Sequence, residues 1–418
     1  MENAIRDWRG RAYRPGPVPA DRMRMFWLAL AAMAAISPLQ YGYAALLARE
    51  AGGLTLLAVW IACQAAGALP ALHLVRRGRL SVRASLAMGA ALSGLGLATT
   101  ALSGGLGLPA LVGYAVLGGL GGGLVYGVCG EVVSAWFPER PAGRVGLITG
   151  AFGYGAVPLL VWAGIAPGAT TAAFLAAAAV ATGVIAAAAA RLRLPPALWW
   201  PDDVDPRTHA LDAARLRTAP EGTKQFGLAQ AMRTRTMPTL ALILTCAGAV
   251  SVFDVIVVAG TGAWGALALL VALNGASRSV AVRASELFGR RRVLATVFGS
   301  LAVGQILLAV AVQNAAVPGQ AAGALLWLGA VAAGLGGGAF YPLLAGLVRE
   351  FFGAERAGDI HAVVYSAKAV AGVVAVVLAL TALTAPGAAL LAAAALAALP
   401  ALAAPRLRIP GLPATIPL

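Results

Sequence analysis

Charged side chains are scarce in this sequence. Asp, Glu, Lys and Arg make up 11% of its 418 residues, whereas hydrophobic residues make up 60%. Soluble domains carry about 25% charged residues, so this composition excludes a soluble globular protein. A chain with so few polar side chains cannot cover a surface that faces water. We therefore predict a protein that crosses a membrane many times.

Cysteines, histidines and catalytic motifs are scarce or absent as well. The three cysteines all lie within apolar segments, which argues against a disulfide framework. His73 and His361 are too far apart in the chain to indicate a metal site. The sequence contains no HExxH motif, no nucleophile elbow and no Walker loop. We expect neither a metal nor another cofactor, and we predict that the protein is not an enzyme.

Long apolar runs dominate what is present. Twelve of them reach the roughly 20 residues that a helix needs to cross a bilayer. They cover residues 25–49, 53–75, 82–104, 107–137, 145–166, 168–190, 236–260, 262–287, 293–313, 319–349, 360–383 and 386–404. The predicted fold class is an all-α membrane protein with twelve transmembrane helices.

The arginines indicate how these helices are oriented. They cluster in the N-terminal tail, in every second loop and in the C-terminal tail, whereas the other loops contain only Arg49, beside Glu50. Cytoplasmic loops carry an excess of Lys and Arg, so we predict that both termini are cytoplasmic. The formal net charge of +15 follows from these loops, and we expect no nucleic-acid partner.

The chain also contains an internal repeat. Gly119–Tyr126, GLGGGLVY, reappears as GLGGGAFY at Gly334–Tyr341, 215 residues later. A nucleotide-binding loop is excluded because these runs lie within apolar spans and no Lys-Ser/Thr pair follows them. Two six-helix halves in the same orientation are the plan of the major facilitator superfamily, which holds its substrate at the interface between them.

The repeat and the only long polar segment divide the chain into five regions. The polar segment contains several prolines and has little capacity for a core, so we read it as a linker. The regions are an N-terminal tail (1–24), a first six-helix bundle (25–190), a central cytoplasmic linker (191–235), a second bundle (236–404) and a C-terminal tail (405–418). We expect a monomer in the inner membrane of the cell.

Two cations lie within apolar spans. Lys368 is about 12 Å and Arg278 about 13 Å from the cytoplasmic end of its predicted helix at 1.5 Å per residue. A charge at that depth is costly and usually functional. No acid in the spans obviously neutralises either cation, and an anion would relieve their repulsion and desolvation. The alternatives are a structural bond from Arg278 to backbone carbonyls and a Lys368 side chain that reaches the membrane surface.

Other polar residues occur at comparable depths. Tyrosine combines an apolar ring with a hydroxyl that can bind an oxygen, although each tyrosine could also be packing. The amides could instead bond helix to helix, and Asn274 shares a helix face with Arg278 at i+4. The candidates for substrate binding are Tyr126, Tyr154, Tyr341 and Tyr365 together with Gln40, Gln64 and Asn274.

Two acids are candidates for proton coupling. Asp254 lies near the outer end of the seventh span, where we expect a wet mouth of the protein. Glu131 lies near the inner end of the fourth span, where we expect it to pair with a loop arginine. A carboxylate inside a transporter that gains and loses a proton would couple transport to a proton gradient.

The chain resembles the oxalate/formate antiporter family from its first to its eleventh span. The similarity lies in Trp136-Phe137-Pro138, Phe152-Gly153-Tyr154-Gly155, Asn274-Gly275-Ala276-Ser277-Arg278 and Ala367-Lys368-Ala369-Val370-Ala371-Gly372. In that family the matching Arg and Lys hold a carboxylate within an aromatic cage. The resemblance therefore implies roles for Arg278, Lys368, Tyr41, Tyr126, Tyr154, Tyr341 and Tyr365.

The chain departs from the family pattern near its predicted gates. Val75 stands where the family usually has an acid in the loop after the second span, whereas Glu286 serves in the second copy. We expect cytoplasmic contacts of Glu286 and Arg290, and of the loops around Arg79 and Arg144, to stabilise the outward-open state. Asp254 is not part of the pattern.

The resemblance and the two cations predict a transporter that moves small organic carboxylates, such as oxalate or formate, by alternating access and in exchange for one another. One alternative is a proton-coupled monocarboxylate symporter, favoured if Asp254 or Glu131 titrates. A membrane sensor or an intramembrane enzyme is an alternative from another class. The short linker and the lack of a catalytic constellation argue against it.

Overall fold

The computed structural model describes residues 4–8, 10–50, 52–212, 224–314 and 320–411. Twelve of the described helices are long and apolar enough to cross a membrane, and every predicted boundary lies within four residues of the observed one. In chain order, spans 1 to 12 are Arg22–Leu46, Gly53–Arg76, Val82–Leu102, Gly107–Trp136, Pro141–Ile165, Pro167–Arg191, Thr236–Gly260, Trp264–Phe288, Arg290–Gln313, Gly323–Phe352, Ala357–Thr384 and Pro386–Arg406. The predicted fold class is confirmed.

The glycine repeat has the same packing role in both halves. A Cβ on Gly119 in span 4 would lie 2.8 Å from the carbonyl oxygen of Trp60 in span 2. A Cβ on Gly334 in span 10 would lie 2.7 Å from the carbonyl oxygen of Leu270 in span 8. Only glycine permits backbones to approach so closely within a membrane. The repeated sequence therefore encodes the same contact, span 4 on span 2 and span 10 on span 8.

Four spans depart from a regular α-helix along their length. Span 1 contains a widened turn at Pro38–Gly42. Span 4 contains a widened stretch at Ala110–Gly118. Span 5 is interrupted after Tyr154, because Pro158 has no N–H to donate to the Tyr154 carbonyl. Span 11 ends its first segment at Ser366 and resumes at Lys368. Such interruptions in transporters are typical of the substrate site.

A small sheet lies at the end of the bundle that carries the N-terminal tail, which we call the tail side. Its strands are β1 (Ile5–Arg6), β2 (Ala12–Gly16) and β3 (Trp199–Pro201). β2 pairs antiparallel with β1 and parallel with β3. Two short helices, Pro206–Leu211 and Leu228–Met232, also belong to the linker. The tail and the first part of the linker thus fold together.

This sheet is attached to the first half of the bundle. The rings of Trp199 and Trp136 are 4.9 Å apart, edge to face. Arg22 forms an ion pair with Glu139 at 2.6 Å, and the Trp136 indole N–H donates to the Arg193 carbonyl. The sequence predicts a linker with little capacity for a core. Trp199 of the linker packs against Trp136 of span 4, and Trp200 of the linker packs against Tyr13 of the tail. These contacts nevertheless hold the first part of the linker in place.

The two halves contact each other at both ends of the bundle. On the tail side, His73 Nδ1 of span 2 lies 3.5 Å from Asp359 Oδ1 of span 11. At the opposite end, the far side, Trp264 of span 8 packs against Gly164 of span 5 so closely that a Cβ there would lie 2.8 Å from the Trp264 Cβ. The halves therefore touch at both ends of the bundle in this conformation.

Candidate substrate site

Lys368 of span 11 has its ammonium group inside the bundle. The side chain Nζ donates hydrogen bonds to Gln40 Oε1 and to Gln64 Oε1, each at 2.9 Å. Lys368 is 3% exposed, so its side chain does not reach the membrane surface. Both acceptors belong to the first half of the bundle, on spans 1 and 2. The lysine therefore joins the two halves at the centre of their interface.

Arg278 of span 8 occupies a similar position. Its Nη1 donates to the Thr149 carbonyl of span 5 at 2.8 Å, and its Nη2 donates to Asn274 Oδ1 at 3.3 Å. The guanidinium is 1% exposed, and its Nε has no hydrogen-bond partner in the described part of the chain. The backbone bond considered as an alternative is present. It accounts for only part of the five N–H donors of an arginine.

The two cations lie level in the bundle. Lys368 is eleven residues from the start of span 11, about 16 Å at 1.5 Å per residue. Arg278 is ten residues from the end of span 8, about 15 Å by the same rise. Both ends face the tail side, because spans alternate in direction. The sequence predicts slightly shallower positions for both cations. The predicted span 11 begins three residues later than the observed one, and the predicted span 8 ends one residue earlier.

Aromatic rings and amides surround the two cations. The side chains that line the space are Gln40, Tyr41, Tyr126, Phe152, Arg278, Tyr341, Tyr365 and Lys368. In this conformation the side chains pack so closely that the space between them does not admit a water molecule. Binding of any ligand, even one of a few atoms, therefore requires these side chains to move apart.

The rings also face the cations. The guanidinium carbon of Arg278 lies 4.9 Å from the ring centre of Tyr341, and the Lys368 ammonium lies 5.3 Å from that of Phe152. The rings of Tyr126 and Tyr365 stack at 5.5 Å. Cations over ring faces are stabilised by the ring quadrupole. The rings therefore hold the cations without supplying a counter-charge.

Among the described residues, no negative side chain balances this site. Neither Arg278 nor Lys368 forms an ion pair with any carboxylate of the residues that the structure describes. Two like charges in a region of low dielectric constant repel each other, and both have lost their hydration. A bound anion would reduce both costs at once. The site is therefore electrostatically prepared for a small anion.

The structure brings together most, but not all, of the predicted binding residues. Tyr41 donates to Asn274 Oδ1 at 3.2 Å, and Gln64 donates to the Tyr365 hydroxyl at 3.3 Å. Tyr154 is half-buried and lies instead against Gly275, where spans 5 and 8 cross. It does not belong to the residues that line the space. Tyr154 is the last residue before the interruption of span 5. At this position its side chain faces the crossing with span 8.

Two aromatic residues of the site were not predicted. Phe152 lines the space, and the centre of the Trp60 ring lies 6.0 Å from the Lys368 ammonium. Trp60 precedes Gln64 by four residues and therefore shares its helix face. Phe152 lies in the FGYG motif, which carries the family resemblance but implies no binding role for this residue. Because Trp60 lies on the same helix face as Gln64, a binding role for Gln64 also indicates one for Trp60.

The predicted gating residues make contacts on the tail side. Glu286 pairs with Arg283 at 2.8 Å within span 8, and Arg290 pairs with Glu350 at 3.1 Å between spans 9 and 10. These contacts lie within the second half of the bundle. The Arg290 and Glu286 gate stays a prediction, and the contact between His73 and Asp359 joins the halves at this end.

The other two gating candidates belong to the first half. The guanidinium of Arg144 lies 4.9 Å from the ring centre of Phe137 and 5.2 Å from that of Phe26. Arg79 is exposed in the turn after span 2. Cation–π contacts of this kind hold the start of span 5, on the tail side, against spans 1 and 4. A gating role for these residues also stays a prediction.

The environment predicted for Asp254 is wrong. Asp254 is 1% exposed, and its Oδ1 accepts a hydrogen bond of 2.6 Å from Gln305 Nε2. Its Oδ2 has no partner in the described part of the chain. Counting residues along span 7 gives the depth of Asp254 but not the direction of its side chain, which points into the second half. Glu131 pairs with Arg76 at 2.8 Å, at the tail-side end of span 2.

Comparison with solved structures identifies proteins that have a similar fold. No protein-family model and no curated protein matches this chain. Solved structures do match, among them the xylose transporter XylE from E. coli in an inward-open conformation, at 15% identity and a TM-score of 0.65, over 92% of this chain and 96% of that one. Another is a nucleoside transporter NupG mutant, at 14% identity and a TM-score of 0.64, over 92% of this chain and 99% of that one.

The chain has the major facilitator fold. A POT family transporter in complex with 5-aminolevulinic acid is similar too, at 11% identity and a TM-score of 0.65, over 93% of this chain and 97% of that one. These three proteins handle chemically different compounds, and identities this low show a shared fold alone. The ligand of this chain has to be argued from its own site.

Proposed function

We propose that the protein is a secondary transporter of small organic carboxylates that works by alternating access. The observation that carries this proposal is the pair of buried cations, Arg278 and Lys368, which face one aromatic-lined space without a carboxylate partner in the described chain. The fold supports the transport mechanism because its two halves can rock about a central site. We place it in the inner membrane of the cell.

A carboxylate matches the donors of this site. The guanidinium of Arg278 can donate two parallel N–H bonds to one carboxylate, and the ammonium of Lys368 can bind a second oxygen or a second carboxylate. Charged acceptors form stronger hydrogen bonds than amides do. An anion would therefore displace Gln40 and Gln64 from Lys368. Oxalate and formate are the smallest members of the two carboxylate classes.

The same charges favour exchange over one-way movement. A carrier that returns without an anion must close around two unbalanced cations, whereas a carrier that returns with an anion does not. The loaded protein would then cross between its two conformations faster than the unloaded one. We therefore propose that one carboxylate moves in as another moves out.

The test is a binding screen on the purified protein. A ligand that binds only the folded state raises the unfolding temperature in proportion to the logarithm of its concentration over its dissociation constant. Oxalate, formate, malonate and acetate are compared with two neutral compounds, xylose and uridine. We expect stabilisation by carboxylates alone. Stabilisation by xylose or uridine, with none by any carboxylate, would contradict the proposal.

A second candidate function is proton-coupled carboxylate symport. It is favoured by a series of polar contacts that leads from the cations to a buried acid. Asn274 accepts from Arg278 and donates to Ser251 at 3.0 Å, and Ser251 lies one helical turn before Asp254, which binds Gln305. Whether Asp254 carries a proton would then depend on whether an anion occupies the site.

Substitution of Asp254 by Asn separates the two candidates. In proteoliposomes, a symporter with Asp254→Asn would lose uptake driven by a pH gradient and keep exchange between two carboxylate pools. Glu50→Gln, which changes an exposed acid at the far side, serves as the matched control. Uptake by Asp254→Asn that still follows the pH gradient would exclude Asp254 as the coupling acid.

A further inference from the structure

A second cavity lies outside the candidate substrate site, on the tail side. It is formed between the start of span 7 and the end of span 12 and has a volume of about 500 Å³. Its charged wall consists of Arg235, Arg406 and Arg408, and its apolar wall includes Leu399 and Leu402. None of these residues contributes to the space around the two buried cations.

The charged wall is positive, and no counter-charge faces it within the part of the chain that the structure describes. All three arginines are exposed, and in the described part of the chain none of them forms an ion pair with a carboxylate. No acidic residue of the described chain lines the cavity. Arg406 donates one bond, to the Leu402 carbonyl at 2.8 Å, which leaves most of its N–H groups directed elsewhere. The cavity is therefore suited to an anion.

The apolar wall belongs to the surface that faces lipid. Leu399 and Leu402 are 60% and 61% exposed on the last turns of span 12. Exposed leucines on a membrane-spanning helix contact acyl chains. The cavity thus joins a positive surface, at the level where the spans end, to an apolar surface just inside the membrane.

The chain after span 12 is held in place to complete this cavity. The Thr236 hydroxyl at the start of span 7 donates to the Arg408 carbonyl at 3.5 Å. Leu407, the residue before Arg408, is buried. Together these contacts place Arg408 beside Arg235, although the two residues are far apart in the sequence. The arrangement depends on tertiary packing between spans 7 and 12.

We propose that this cavity binds the headgroup of an anionic phospholipid, whose acyl chains lie along Leu399 and Leu402. Arginine forms two parallel hydrogen bonds with a phosphate oxygen pair, and basic pockets between membrane helices are typical sites for such headgroups. A soluble anion would gain nothing from the leucines. A zwitterionic lipid would bring its own cation among three arginines.

The experiment counts bound lipids by native mass spectrometry of the whole protein purified in detergent. Dioleoyl phosphatidylglycerol and dioleoyl phosphatidylcholine are added separately at equal concentrations, and soluble glycerol phosphate is added as a competitor. We expect retained phosphatidylglycerol, little phosphatidylcholine, and no displacement by glycerol phosphate at the same concentration. Displacement by glycerol phosphate at that concentration would show a free-anion site and overturn the proposal without any variant.

A triple variant, Arg235→Gln/Arg406→Gln/Arg408→Gln, tests the location. Each basic side chain near an anionic lipid is worth about fivefold in affinity, so the variant should bind phosphatidylglycerol on the order of a hundredfold more weakly. The matched control is Arg77→Gln/Arg83→Gln/Arg292→Gln, which removes the same charge from exposed positions on the tail side. An equal loss in the control would show diffuse attraction and overturn the proposed site.

Discussion

Lys368 of the second half donates a hydrogen bond to Gln64 of the first half, with its Nζ 2.9 Å from Oε1. Gln64 in turn donates to the Tyr365 hydroxyl, one turn before the lysine. Alternating access requires the halves to move against each other at this level. An anion that takes the lysine from Gln64 would release this contact. If the proposed function is right, substrate binding and movement of the halves would be connected through this one side chain.

We predict that Lys368→Gln weakens binding of a dicarboxylate more than binding of a monocarboxylate. Loss of one partner from a desolvated charge pair costs about 2–5 kcal/mol, which is well over tenfold in affinity. Formate should lose less, because Arg278 can still bind one carboxylate with two N–H bonds. Arg278→Lys should weaken both ligands, because an ammonium lacks that geometry. Thermal stabilisation by oxalate and by formate measures each case.

The control for these variants is Arg283→Gln, which removes an exposed cation from the same span as Arg278. It should leave both ligands unaffected. Equal oxalate stabilisation in the wild type, Lys368→Gln and Arg278→Lys would contradict the two-cation site. A greater loss for formate than for oxalate in Lys368→Gln would favour the monocarboxylate symporter.

We predict that Gly275→Ala destabilises the protein where spans 5 and 8 cross. A Cβ on Gly275 would lie 2.8 Å from the Tyr154 backbone nitrogen, so the spans must separate, and the bond from Arg278 to the Thr149 carbonyl would lengthen. Overpacking of this kind costs about 1–3 kcal/mol. The apparent unfolding temperature in detergent measures it. Gly299→Ala, where nothing lies within 4 Å of the added Cβ, should not lower that temperature.

We predict that Asp359→Asn shifts the protein toward a conformation open on the tail side. The substitution weakens the contact with His73, which joins spans 11 and 2. Because both side chains are partly exposed, the contact is worth at most about 1 kcal/mol, or roughly a fivefold change in population. Spin labels at the exposed positions Arg77 and Arg356 would report a longer distance between the two helix ends.

Ligand binding is the second readout for this variant. Asp359→Asn should keep its affinity for carboxylates, because the residue lies away from the lining of the candidate substrate site. Glu286→Gln is the control, since its ion pair with Arg283 stays within span 8. If Glu286→Gln lengthened the distance between the two spin labels equally, the gate would instead involve Glu286 and Arg290, as predicted from the sequence.

We predict that the tail side faces the cytoplasm. Cysteines introduced at Leu211 in the linker and at Ile409 after span 12 are exposed and should react with a reagent that cannot cross the membrane only after the cells are opened. A cysteine at Glu50 on the far side should react in intact cells. The three native cysteines are replaced first. Labelling of Leu211→Cys in intact cells would invert the orientation.

The positions of the spans could be predicted from the sequence alone. A membrane helix satisfies its backbone hydrogen bonds within itself, so its length and apolar composition are local properties. The depths of Arg278 and Lys368 follow from the same helical rise, and they came out level. The repeated glycines likewise indicated two equivalent halves before any contact between spans was known.

Only the tertiary structure decided which polar groups meet. Asp254 binds Gln305, 51 residues away on another span, and Phe152 lines the site whereas Tyr154, two residues later, lies at a helix crossing. These outcomes depend on how each helix is rotated about its axis and where it is interrupted. Rotation is set by the packing of neighbouring spans, because lipid and protein interior are equally apolar and hydropathy cannot distinguish them.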